Sequence, residues 1–357
     1  LYPPADKAPG EVLISMLQTP ILRMRQVKYV TWQGITFEAA RDVLVDAQGC
    51  ESVSFLKCTC RNAGGNGLRL SGNNNLVDGC AFYGLGAGGI RVAGGDRYQL
   101  TPSGTVIQNC DIHHIGRLFS MYEPAINIAS LTGADDCVGI TVQHNEMHHL
   151  PHQAIWYSGG NNHTIRWNYI HDVVQWSGDA SAIYAGRDWG SRGTVIQGNL
   201  FHTVGGPIGV RVSGVYFDDS FAGATVEGNI FINSALDTCV QHGGGRDVII
   251  RYNIFYGAWK GVLTYYGGEA STVKGSSGNL LEKIQKFNYQ APPWSTAYPE
   301  LAAIPSDYSQ ITGTHWLRPE GSVLYGNVQY GKTSLVYWDN DGGSIPWFKQ
   351  VDRNLAG

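Results

Sequence analysis

The residues best suited to chemistry are acids in the middle of the chain. Ser177-Gly178-Asp179-Ala180-Ser181-Ala182-Ile183-Tyr184-Ala185-Gly186-Arg187-Asp188-Trp189 places two acids and an arginine at the two ends of one predicted strand, and Val215-Tyr216-Phe217-Asp218-Asp219 carries two more. An acid on each of two neighbouring strands is what hydrolysis of a glycosidic bond needs. One carboxyl protonates the leaving oxygen while the other attacks the anomeric carbon or activates water. Separations of about 5–5.5 Å give retention and about 6.5–9.5 Å inversion, and adjacent strands are compatible with either. Read conservatively, Asp179 caps a turn after Gly178, and Asp218-Asp219 opens a loop. Glu123, just before the strand Ala125–Ile128, is a third acid able to reach the same surface. Arg187 suits either a catalytic carboxylate, whose pKa it would lower, or the substrate itself. Its structural alternative is an ion pair with Asp188 or Asp219.

Around these acids lies a recurring set of side chains. Asn127, Trp156, Tyr184, Tyr216 and Gln241 each follow the first aliphatic residue of a short β-rich phrase, so alternation turns them outward. Three aromatics in consecutive repeats suit sugar rings, or else simply cover a sheet. His242, with His152 and His163, lies near these strands and could serve as a general acid or sugar ligand. A second series, His113, His148, His171 and His202, falls three residues after a repeated key position, and His114 and His149 follow two of them. Stacking is the default reading of such a ladder. A metal or catalytic site would require the nitrogens to converge on one point.

The elements that position these residues come from an internal repeat. Its key positions are 35, 58, 80, 110, 145, 168, 199, 229 and 253, and the short spacings are 22–24 residues. Asparagine fills the later positions, as in Trp167-Asn168-Tyr169-Ile170 and Gly228-Asn229-Ile230-Phe231. Cys58, Cys80 and Cys110 fill earlier ones, where they read as small buried filler. Short strands at this period, with no competing helical periodicity, predict an all-β fold: a parallel β-helix of about ten coils with loop insertions. The chain is expected to form one domain over residues 1–357, with 268–320 as a long insertion and a return to the solenoid at Val323–Val328.

Composition agrees and excludes much else. Glycine is 47 of 357 residues and charged residues are 15%, which implies many turns and few solvated charges. Net charge is −4 with no basic stripe, so nucleic acid is not the expected partner. No apolar run is long enough for membrane insertion. Seven cysteines are too few for a disulfide scaffold, and GxSxG and Walker motifs are absent. Gly84-Leu85-Gly86-Ala87-Gly88-Gly89 is glycine-rich but precedes no helix, which argues against a nucleotide site.

Several of these motifs together resemble those of β-helix proteins of glycoside hydrolase family 141: Gly94-Gly95-Asp96-Arg97 with Leu100-Thr101-Pro102-Ser103-Gly104, Asn109 to Gly116, Gly178-Asp179-Ala180, Ala182 to Trp189, and Tyr216-Phe217-Asp218-Asp219. The resemblance spans roughly residues 20–267. It implies a right-handed parallel β-helix and an exo- or endo-acting glycosidase, with α-L-fucosidase and xylanase as activities of the family. It also implies a catalytic pair of aspartates, carried over to Asp179 and Asp218 with Asp219 as competitor for the second role. Family members usually carry a long N-terminal segment that this chain lacks, and 268–320 has no counterpart.

The expected function is therefore hydrolysis of a polysaccharide or oligosaccharide. Asp179, Asp218 and Asp219 are the catalytic candidates. Glu123, Trp156, Tyr184, Arg187, Asp188, Tyr216, Gln241 and His242 are candidates for holding substrate. No cofactor or catalytic metal is expected, with room left for a structural Ca2+. A secreted or periplasmic location fits a glycan substrate. A lyase for uronate-containing glycans, using Arg187 with Tyr184 or His242, and a non-catalytic carbohydrate-binding β-helix are the alternatives.

Overall fold

A computed structural model describes residues 14–129, 137–157, 159–207, 211–232, 237–264, 273, 279–331, 334–338 and 345–357. Each coil contributes one short strand to each of three parallel sheets, and among the described residues every sheet has eleven strands. The first sheet runs from Leu22–Arg25 to Ser334–Trp338, the second from Thr31–Gln33 to Gln350–Asp352, and the third from Thr36–Glu38 to Leu355–Ala356. In each sheet the order of strands is the order of coils, which is the topology of a β-helix.

Alternation explains why these short strands hold. In the second sheet Ile107, Val142, Ile165, Ile196, Val226 and Ile250 stack inward in register and are fully buried. In the third, Phe201, Phe231 and Phe255 do the same, with the first two rings stacked at 4.4 Å. Each coil buries its inner face only against its neighbours, so the core is continuous along the axis.

The corner between the second and third sheets is the repeated key position. There the backbone N–H of Asn145 donates to the Asn168 carboxamide oxygen, Asn168 to Asn199, Asn199 to Asn229 and Asn229 to Asn253, all at 2.9–3.0 Å. Each Nδ2 also donates to a main-chain carbonyl of the coil before, as Asn199 does to Ile165. Cys58, Cys80 and Cys110 occupy the same rung as buried free thiols. The preceding residue always turns through positive φ. Glycine fills that position at Gly79, Gly198 and Gly228, but Lys57, His144, Trp167 and Tyr252 adopt it as well. The asparagine ladder thus holds a corner that glycine alone does not explain.

Of the stretch 268–320, residues 273 and 279–320 are described and the rest lies outside the described residues. Short helices at Leu280–Gln285, Trp294–Ala297 and Pro299–Ala302 pack into a second apolar cluster containing Trp189, Leu280, Ile284, Trp294 and Leu301. This excursion docks on the corner between the first and second sheets. Trp294 Nε1 donates to the Arg97 carbonyl at 3.0 Å, and Tyr298 Oη donates to Asn162 at 2.9 Å. Beyond it, Val323–Tyr325 pairs in register with Ile249–Arg251 of the second sheet.

Candidate functional site

The first sheet aligns its outward positions into one row: Asp46, Arg69, Arg91, Asn127, Trp156, Tyr184, Tyr216 and Gln241 are successive register partners. Asn127, Trp156, Tyr184, Tyr216 and Gln241 therefore share the row that alternation gives them. Their exposure differs. Asn127, Trp156 and Tyr184 are partly open, whereas Tyr216 and Gln241 are buried. The Gln241 carboxamide accepts from the Ser213 hydroxyl at 2.9 Å, so it serves the wall rather than a ligand. The rings meet edge to face, Trp156 against Tyr184 at 74° and Tyr184 against Tyr216 at 90°. They form an alternating surface and not the flat platform their spacing suggests. Tyr122 from the inserted loop adds a ring 6.0 Å from Trp156.

The strand Ala180–Gly186 decides the acids. Asp179 precedes its first residue, while Asp218 pairs with Gly186, its last. Seven residues of extended chain separate those positions, roughly 23 Å at about 3.3 Å per residue. Asp179 and Asp218 therefore lie at opposite edges of the sheet and cannot flank one glycosidic bond. Asp179 sits exposed at positive φ, in keeping with a turn role. Glu123 also precedes its strand, so it shares that edge. Its carboxylate accepts from Asn66 Nδ2 and from the Gly88 N–H, both at 3.1 Å, and is used in joining coils.

At the other edge the structure gathers Tyr184, Arg187, Asp218 and Asp219. Tyr184 Oη donates to Asp218 Oδ2 at 2.8 Å. Arg187 Nε donates to Asp219 Oδ2 at 2.6 Å, and its Nη2 stands 4.0 Å from Asp218 Oδ2. The Asp218 side chain is 15% exposed and that of Arg187 48%, so the cluster opens to solvent on the arginine side. Burial, then the neighbouring Asp218 carboxylate, raises the Tyr184 pKa and keeps the phenol protonated. Lys283 of the excursion donates to the Arg187 carbonyl at 2.6 Å, which places the helix Leu280–Gln285 beside this edge.

Two other predicted ligands turn away. Asp188 is buried and paired with Arg97, Oδ2 to Nη2 at 2.7 Å, while its Oδ1 accepts from the Gly190 N–H. Phe287 lies 4.6 Å over the same guanidinium. Asp188 thus helps seat the excursion and does not face substrate. His242 pairs in register with Phe217, and both point into the coil. Its nitrogens meet Thr264 Oγ1 at 2.9 Å and the Gly245 carbonyl at 3.0 Å, and burial lowers its pKa to about 4. One residue of register separates it from the outward row.

The third sheet carries the histidine ladder. His113, His148 and His171 stack at 4.8 Å per step, and Tyr83 stacks on His113. His114 and His149, at positive φ, form a parallel stack at 4.9 Å. Beside them is a cavity of about 530 Å³ lined by His113, His114, His149, Arg117 and Trp176 among others. Sequence reasoning missed this cavity, because it is shaped by the loops around Ile115–Arg117 and Gln175–Trp176, whose residues lie outside the repeat.

A solenoid with three parallel sheets and a polar outer row defines a β-helix protein. The chain belongs to the right-handed β-helix family, whose model for a right-handed β-helix region matches residues 21–123 and 98–277. No curated protein sequence matches. Among solved structures it is similar to PfbA, a surface adhesin of Streptococcus pneumoniae, with 14% identity and a TM-score of 0.48 over 72% of this chain and 73% of that one. It is also similar to XylC, solved in complex with xylose, with 10% identity and a TM-score of 0.40 over 91% of this chain and 55% of that one. No helix among the described residues is long and apolar enough to cross a membrane.

Proposed function

We propose that the chain acts on a polysaccharide or oligosaccharide outside the cytoplasm, as a glycoside hydrolase whose reacting acids are Asp218 and Asp219. The observation that carries this reading is the placing of two carboxyls with different partners at one edge of an aromatic row: Asp218 accepts from Tyr184, and Asp219 is clamped by Arg187. Different environments are what divide acid and base roles between two carboxyls. Trp156 and Tyr184 offer ring surface to sugars along the row.

The lyase alternative loses support from the same geometry. A lyase base must accept a proton, whereas Tyr184 is held as the neutral phenol and already donates to Asp218. His242 is buried away from the row. Arg187, which would neutralise a uronate, is committed to Asp219.

The test is product analysis on fucosyl, xylosyl and uronic oligosaccharides, with Asp218→Asn alongside. New reducing ends that vanish in the variant support hydrolysis. Products absorbing as unsaturated uronates would replace it with elimination, and glycan binding without turnover would leave a binding protein.

A further inference from the structure

The carboxylate Asp111 and the imidazoles His113 and His148 face outward from two adjacent strands of the third sheet, Asp111–His113 and Glu146–His148. Their donor atoms all lie within 4.8 Å of one another. His148 Nε2 is 3.2 Å from Asp111 Oδ1, and His113 Nε2 is 3.8 Å from Oδ2 of the same carboxylate. We propose that these three side chains bind one divalent transition metal of the zinc class, at a site separate from the Asp218 edge.

Three features carry the assignment. Two imidazoles and one carboxylate form a donor set that zinc, cobalt and nickel accept, and three protein ligands leave a coordination position open. The far nitrogen of each imidazole is already held: His113 Nδ1 meets His114 Nδ1 at 2.7 Å, and His148 Nδ1 meets His149 Nδ1 at 2.6 Å. In each contact one nitrogen must carry the proton and the other accept it. His148 Nε2–H donates to Asp111 Oδ1; an entering ion takes the place of that proton, His113 and His148 then donate from Nδ1 to His114 and His149, and the second stack fixes the ligating tautomers as outer partners of metal-bound histidines commonly do.

The third feature is a contrast within the ladder. At His171 both nitrogens meet carboxylates, Glu146 at 3.1 Å and Asp172 at 2.8 Å, and its ring is parallel to that of His148 within 3°. The His113–His148 step is tilted by 18°. Bonds of about 2.0–2.1 Å to a shared ion require the two nitrogens to come within about 4 Å. The donor atoms already lie within 4.8 Å of one another, so a small ring rotation at this step supplies this, and the exposed Asp111 is placed to follow.

The chelator-treated full chain is titrated with Co2+, followed by visible absorption and calorimetry. The expected result is one Co2+ per chain with a ligand-field spectrum. His113→Phe, His148→Phe and Asp111→Asn should each weaken binding at least ~10-fold, and His149→Leu by ~10-fold through loss of tautomer control. Phenylalanine keeps the ring stack, and far-ultraviolet circular dichroism checks the fold. His202→Phe, two coils from the site, should bind as the parent does. Absence of saturable Co2+ binding overturns the assignment, as does binding undiminished in His148→Phe and Asp111→Asn, or lost equally in His202→Phe.

Discussion

The outward rows of the first and third sheets are built on the same register, one side chain per coil, yet they differ in kind. Along the third sheet the residue repeats, His113, His148, His171, and each ring is satisfied by the next. Along the first sheet it changes at nearly every coil, from Asp46 and Arg69 through Asn127 and Trp156 to Tyr184 and Tyr216. A repeated side chain on a solenoid stabilises the stack through its own copies. A row that does not repeat gains little from stacking, so its composition answers to something else, and on the first sheet that row passes beside Asp218, Asp219 and Arg187.

The sharpest way to break this contrast is to remove acids from opposite edges of the non-repeating row. Asp218→Asn should lower turnover by about 10³-fold, the scale of a lost acid–base group, while Asp179→Asn should leave it within about twofold because it lies roughly 23 Å away along the strand. Initial rates under saturating oligosaccharide measure both. Loss of activity in Asp179→Asn with Asp218→Asn unaffected would move the chemistry to the edge shared with Glu123.

The repeated rows should instead respond in stability. Asn199→Leu removes the acceptor of the Asn168 N–H and Nδ2, and leaves the Ile165 carbonyl without its donor. Asn168 Nδ2 keeps the Val142 carbonyl, so two buried groups are stranded, which should cost about 3 kcal/mol by chemical denaturation. Cys80→Ala on the earlier part of the same rung removes one weak acceptor of the Cys58 N–H, at 3.3 Å. It should cost about 1–2 kcal/mol, so equal losses at the two positions would show that the asparagine ladder adds nothing beyond packing.

Histidines inside the coils should separate from those on the outside by their response to pH. Burial lowers His163 and His242 from the usual 6.5 to about 4. The unfolded chain therefore takes up these two protons first as the solution is acidified. Their contribution is complete above about pH 6.5 and is lost as pH falls toward 4, by ~3 kcal/mol for each histidine. Urea midpoints between pH 7 and 4.5 should drop steeply, and His242→Gln should flatten the slope.

Much of this is legible in the sequence. The 22–24-residue period, the asparagine rung and the outward row follow from alternation and spacing, which report the local geometry of each coil. What spacing does not report is which edge of a sheet a flanking residue occupies. Asp179 and Asp218 look paired because they lie near corresponding strands in successive coils, and only the seven-residue length of Ala180–Gly186 reveals that one precedes and the other ends its strand. Asp188 was misread for a related reason. Its partner Arg97 is 91 residues away and is covered by the excursion, so nothing local announces the ion pair. His242 differs from an outward residue by a single position, and the cavity near Trp176 depends on loops that break the period.

The smallest effect tests the row at its finest point. Tyr184→Phe keeps the ring that packs at 90° against Tyr216 and deletes only the hydroxyl that donates to Asp218. A hydrogen bond to a carboxylate contributes about 1.5–3 kcal/mol. Its loss from a solvent-accessible site should cost about tenfold in kcat and little in KM, since the ring surface offered to sugar is unchanged. A change confined to KM would make Tyr184 a sugar contact whose bond to Asp218 is incidental, and the two rows would then differ in what they bind and not in what they do.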